Sequence, residues 1–192
     1  SLRRHPDVEA PNLLAVDATD RLLLDEAAEA IAAHPDAVAV IDDRYGALTL
    51  GAPGLGAHGV RVHQDSIVGE RARAGNAERA GAAHSYSIVP LTRSGLAGAT
   101  VVLWQLPRSL DRLDAVARVL AQAVAPDAVV YAGGRIKHMT TAMNDVLRLH
   151  FGRLDITHAR QKSRVLIARE PHPSPDRDAV VEDHADWGMR LV

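Results

Sequence analysis

Thr100-Val101-Val102-Leu103-Trp104-Gln105-Leu106-Pro107-Arg108-Ser109 reads as an apolar strand that ends in Leu-Pro and turns directly into a helix. Leu110, Leu113, Val116, Ala117, Leu120 and Val124 form one apolar stripe over 109–125, with Asp111, Arg112 and Arg118 off it. A buried strand feeding an amphipathic helix is the repeating unit of a parallel α/β sheet. In such sheets ligands and chemistry sit outside the carboxyl ends of the strands, so a site is expected at 105–109. The junction supplies no carboxylate, thiol or glycine-rich loop. It is an active-site position without the residues of an active site.

The alternation continues outward in both directions. Residues 1–18, with Pro6 and Pro11 and no clear period, read as an arm. Asp17 or Thr19 caps a helix carrying Leu22, Leu23, Ala27, Ala30 and Ile31, and Pro35 stops it. A buried strand at Ala37–Ile41, a turn at 42–47, a glycine-rich loop at Gly51–Gly59 and a strand at 60–62 follow. Asp65 is placed as the cap of a helix running to about Ala80, and Ser85–Val89 as the next strand. Beyond the central junction come an apolar strand at 128–132 ending in Gly133-Gly134 and a helix at 141–151 with Val146, Leu147 and Phe151 inward. Strands at 154–157 and 163–168 then form an antiparallel pair. The expected fold is α/β, a doubly wound, mostly parallel sheet with helices on both faces. After Arg169, Glu170-Pro171-His172-Pro173-Ser174-Pro175 reads as a proline-rich linker. The expected division is an arm (1–18), a domain (19–169) and a linker with the lead-in to something further (170–192).

The composition narrows the class. The hydrophobic fraction is 47% but aromatics are only 3%, so Ala, Val and Leu do the packing, which favours helices on a β-branched sheet. There is no cysteine, which excludes disulfides and thiolate metal sites and points to a reducing compartment. No run of 18 apolar residues and no signal-peptide pattern is present, so a soluble, cytoplasmic chain without a membrane partner is expected. A chain opening on Ser1 is expected to have residues upstream. The net charge of −2 hides an asymmetry: residues 133–169 hold eight Lys and Arg against two Asp and Glu, while 1–132 hold twelve against sixteen. A basic stretch in an acidic chain is a better partner signal than the total.

Most catalytic patterns are missing. After Ile41 the chain offers Asp42-Asp43-Arg44-Tyr45-Gly46, a bulky pair where a dinucleotide site needs glycines, and no helix start follows Gly51–Gly56. The ten histidines show no short ligand spacing, so no metal site is expected. Ser66, Ser109 and Ser163 read as helix caps or strand-edge residues, and no G-x-S-x-G elbow exists. Asp42 and Asp43, adjacent on extended chain, face opposite ways and read as turn residues. The positive signal is basic. Arg135, Lys137 and His138 follow the strand 128–132, and Arg160, Lys162 and Arg164 would share one face of a regular strand. They suit a phosphate backbone, or equally a solvated edge that blocks strand-to-strand aggregation.

Four segments carry a resemblance: Val62-His63-Gln64-Asp65-Ser66, Gln105-Leu106-Pro107-Arg108-Ser109-Leu110, Gly133-Gly134-Arg135-Ile136-Lys137-His138-Met139 and Ala159-Arg160-Gln161-Lys162-Ser163-Arg164. In this order they resemble the N-terminal half of bacterial ribosomal RNA guanine-N2 methyltransferases, over roughly residues 15–169. The resemblance implies a degenerate, Rossmann-like domain of the class I S-adenosylmethionine-dependent superfamily. In that family a second, C-terminal copy binds S-adenosylmethionine and carries an Asn-Pro-Pro-aromatic motif after its fourth strand. The N-terminal copy has lost these features and is thought to help folding and RNA recognition. Asp186-Trp187-Gly188-Met189-Arg190-Leu191-Val192 looks like the lead-in to the catalytic half.

Gln105-Leu106-Pro107-Arg108 stands where the catalytic motif would be. Methyl transfer to an exocyclic guanine amine needs that amine held and the base stacked, and positioning supplies most of the help. Leu106 offers no side-chain hydrogen bond and Arg108 no aromatic ring, although an arginine there can contact phosphate or stack on a base. The resemblance therefore implies no catalytic residue and no cofactor in this stretch. S-adenosylmethionine is expected in the C-terminal domain, and the expected partners are ribosomal RNA and that domain. Arg108, Arg135, Lys137, His138, Arg160, Lys162 and Arg164 are the candidate RNA-binding residues. Two alternatives stay open: a self-sufficient Rossmann-type small-molecule or nucleotide-binding enzyme, and an assembly module that pairs with the catalytic domain or with a second copy.

Overall fold

The computed structural model describes residues 1–173. Asp17 opens the first helix. Its carboxylate accepts from the Thr19 and Asp20 N–H groups, and the Asp20 carboxylate accepts from the Asp17 N–H in return. This reciprocal cap satisfies donors that a helix start otherwise leaves unpaired. The elements run α1 (Ala18–Ala33), β1 (Val38–Ile41), α2 (Ala47–Gly51), β2 (Val60–His63), α3 (Ile67–Arg79) and β3 (Tyr86–Ile88). They continue with β4 (Val101–Gln105), α4 (Leu110–Ala123), β5 (Val129–Arg135), α5 (Thr141–His150), β6 (Phe151–Ile156) and β7 (Ser163–Pro171).

The strands form one sheet in the order β3-β2-β1-β4-β5-β7-β6. β3, β2, β1, β4 and β5 are parallel, and β7 runs antiparallel to both β5 and β6. The register pairs Ile41 with Trp104 and Gln105 with Gly133, so β1, β4 and β5 end nearly level. From β1 the chain winds outward to β2 and β3, then returns to the other side at β4. That reversal opens a crevice outside the strand ends.

Both sheet faces are covered. α4 and α5 press Leu113, Val116, Leu120 and Leu147 onto Ile41, Val102, Trp104 and Val130. On the other face Leu22, Leu23, Ala27 and Ile31 of α1, with Leu48 and Ala52, cover Val38, Val40, Val101 and Leu103. A strand covered twice has no polar side, which is why β1 and β4 read as unbroken apolar runs.

Several boundaries differ from the sequence reading. Ser66, not Asp65, caps α3, while Ser109 caps α4 as expected. The 51–59 segment is not simply a loop: α2 ends in it and continues as a 3-10 turn, Ala52–Leu55. Gly51 is there for contact, since a Cβ would lie 2.6 Å from Leu24 Cδ1. β5 runs past Ala132 through both glycines, and β6 starts at Phe151 rather than Leu154. β7 continues beyond Arg169, pairing Phe151 with Pro171. The remainder of the expected linker and the tryptophan-containing end lie outside the described residues. The arm is held onto the domain: Asn76 bonds both backbone groups of Arg3, and the Tyr45 hydroxyl donates to Asp7.

Candidate functional site

The crevice at the ends of β1, β4 and β5 measures about 330 Å³. Its floor is polar. The Asp20 carboxylate, 3% exposed, accepts from the Asp17 N–H and from the Gln105 side-chain amide of β4. Burial pushes this carboxyl up to about 7; the Asp17 N–H opposes the shift, and the Asp17 and Asp43 charges add to it. Leu106, Met139 and Met143 supply apolar lining, and Tyr45 lines the crevice from the turn after β1. Burial, reinforced by the bond to Asp7, pushes the Tyr45 hydroxyl up to about 12.

The rim is basic. Arg4, Arg44, Arg108, Arg135, Lys137 and His138 all border the opening. Arg4 is committed elsewhere, paired with Asp7 at 3.1 Å and stacked 4.8 Å from the Tyr45 ring centroid. Among the described residues, Arg44, Arg108, Arg135 and Lys137 make no ion pair. Arg108 donates to His138 Nε2 at 3.2 Å. Partial desolvation, then the Arg108 and Lys137 charges, hold the His138 imidazole below its ordinary value, so it stays a neutral acceptor near pH 7.

The structure thus brings Arg108, Arg135, Lys137 and His138 together but not Arg160, Lys162 and Arg164. Arg160-Gln161-Lys162-Ser163 is a tight turn, closed by bonds between Arg160 and Ser163, with Gln161 and Lys162 at φ 49° and 61°. The alternation expected of a regular strand is therefore broken. Arg160 pairs with Asp25 of α1, Lys162 is exposed at the turn, and Arg164 sits half-buried opposite Gly134. Nor do they guard a sheet edge, because β7 lies between β5 and β6. Ser163 is buried and bonds Thr19, tying β7 to the start of α1.

Asp20, Arg44 and Tyr45 were not singled out from sequence as site residues. The nearest sequence signal is the helix cap expected at Asp17 or Thr19.

A second crevice, about 380 Å³, adjoins the first along Arg44, Tyr45 and Gln105-Leu106-Pro107 and lies over the ends of β1 and β2. In a nucleotide-binding sheet, this is where a strand-to-helix turn approaches the ligand and an acidic residue holds its ribose. Here both parts are engaged internally. Arg112 of α4 bridges Asp42 at 3.2 Å and Asp65 at 2.6 Å, and His63 holds the other Asp65 oxygen at 2.8 Å. Asp43, fully buried, accepts from the Gly46 and Thr49 N–H groups and from the Thr49 hydroxyl. Burial holds the Asp43 carboxyl above the ordinary range against these bonds. Bulky Arg44 and Tyr45 stand at the turn itself. This donor set does not fit S-adenosylmethionine. Among the described residues no cluster of His, Asp or Glu is arranged for a metal ion, and no helix is long and apolar enough to cross a membrane.

This sheet order, with its antiparallel final strand and its crevice at the switch point, defines a Rossmann-like methyltransferase-type α/β domain. The ribosomal protein L11 methylase of Lactobacillus delbrueckii subsp. bulgaricus superposes with a TM-score of 0.65 at 17% identity, covering 81% of each chain. The T. thermophilus 16S rRNA N2 G1207 methyltransferase, solved with AdoMet and guanosine, gives 0.63 at 21% identity, covering 81% of this chain and 43% of that one. The chain belongs to the RLMG N-terminal domain family, whose model matches residues 1–172. It is 32% identical over 175 residues to the ribosomal RNA large subunit methyltransferase G of Pseudomonas fluorescens, covering 91% of this chain and 46% of that protein. The Pseudomonas aeruginosa UCBPP-PA14 protein of the same name is 32% identical over 183 residues, covering 90% and 48%. The chain thus spans about half the length of the curated relatives it matches.

Proposed function

We propose that this chain is the N-terminal, non-catalytic domain of an S-adenosylmethionine-dependent ribosomal RNA (guanine-N2) methyltransferase, and that its basic crevice contacts the RNA. The observation that carries the reading is the end of β4. Gln105 there is bonded to Asp20, Leu106 faces the crevice, and Arg108 joins Arg44, Arg135 and Lys137 on the rim. Apolar and cationic groups thus stand where a catalytic motif would hold and stack the target base. The intact protein would work in the cytoplasm, with cofactor binding and methyl transfer in a C-terminal domain that this one assists. The closed Asp42–Arg112–Asp65 network supports this over a self-sufficient nucleotide-dependent enzyme.

Each phosphate contact steepens the dependence of log affinity on log salt by about 0.7–0.9. Arg108→Ala with Arg135→Ala is therefore expected to weaken binding to large-subunit ribosomal RNA fragments and to flatten that slope by roughly 1.5. Arg160→Ala, whose partner is Asp25, is expected to change it less. Filter binding across a salt series measures both. An unchanged slope in the double variant would remove the crevice from RNA recognition.

A further inference from the structure

The crevice is not a uniform basic patch. Its cations are at the rim, while its floor presents acceptors between apolar walls. A phosphate-only contact surface has no use for a buried carboxylate, which repels phosphate. The Asp20 carboxylate receives one donor on each oxygen, from the Asp17 N–H and the Gln105 amide. An ionised carboxylate offers about four lone-pair sites, so acceptor capacity remains. Asp20 is 3% exposed and borders the crevice. Leu106, Met139, Met143 and Tyr45 add apolar and aromatic surface to the crevice lining.

Proteins that read RNA sequence take unstacked bases between apolar or aromatic groups and bond their edges. Guanine alone among the four bases presents two adjacent N–H donors, N1–H and N2–H₂, that match one carboxylate. Resting on the RNA-contact reading above, we infer that this crevice receives a single unstacked guanine nucleotide of the RNA, its N1–H and N2–H₂ donating to Asp20 and its phosphate meeting Arg108 and Arg135. The site differs from a methyl-transfer centre in that it recognises a guanine without modifying it. A base lacking the paired donors leaves the remaining lone pairs of the buried carboxylate without a partner, and sites built on such bonds discriminate strongly.

The test is a titration of the 192-residue chain with GMP, AMP, CMP and UMP at pH 8 and low salt, followed by amide chemical shifts. GMP is expected to bind at least ten-fold more tightly than the other three, with shifts at Gly133, Gly134 and Gln105. Asp20→Asn should abolish the preference while Arg108→Ala weakens all four alike, with thermal unfolding showing that both variants remain folded. Equal binding of the four nucleotides, or a preference that survives Asp20→Asn, would overturn base reading. So would the absence of mononucleotide binding in a chain whose RNA affinity still depends on Arg108 and Arg135, and the RNA-contact reading would then stand. Loss of that RNA dependence would instead overturn the reading beneath it.

Discussion

Asp20→Asn is expected to make this protein more stable at pH 8 by roughly 2–4 kcal/mol and to change it by less than about 1 kcal/mol at pH 4. The sign follows from the carboxyl being raised on folding, from 3.8 to about 7. Below the lower value both states hold the proton, and burial carries no penalty. As pH rises from there to about 7, the unfolded chain ionises first and folding stability is lost. A shift of about three units corresponds to roughly 4 kcal/mol at full extent. Asparagine keeps an oxygen for the Asp17 N–H, and Gln105 can turn its amide to accept from the new NH₂ group. Urea unfolding of both proteins between pH 4 and 8 measures the difference; a gap independent of pH would show that Asp20 titrates normally.

Asp43→Ala is expected to destabilise by about 3–5 kcal/mol. Three donors lose their acceptor at once: the Gly46 and Thr49 N–H groups and the Thr49 hydroxyl. Gly46, at φ 90°, then loses the bond that fixes the start of α2. The fully buried Arg73, stacked 5.1 Å from the Tyr86 ring centroid, loses its nearby counter-charge while Nε and Nη1 already lack partners. Denaturant unfolding reads the loss, and a change below about 1 kcal/mol would mean that the turn is held by packing.

What the sequence made legible was local. The β4–α4 junction, the α4 stripe, the Asp17 cap and the antiparallel final pair all depend on periodicity or on residues within one turn of each other, and all are present. What it hid depends on distant contacts. Gly51 looked like loop punctuation because Leu24, the side chain that excludes a Cβ there, comes from another helix. Arg160, Lys162 and Arg164 looked like one strand face because two left-handed residues at non-glycine positions leave no trace in composition. Asp20 carried no signal of its own, since its partner Gln105 lies 85 positions away. Arg112 read as the solvated side of α4, yet it crosses the sheet end to bridge Asp42 and Asp65.

The central claim is that this methyltransferase-type domain keeps the fold but has closed its cofactor side. Calorimetric titration with S-adenosylmethionine tests it most directly. The account predicts no saturable binding tighter than about 100 µM, roughly −5.5 kcal/mol. A dissociation constant well below that, abolished by Asp65→Ala, would show that the Arg112 bridge opens to admit the cofactor and would contradict the account.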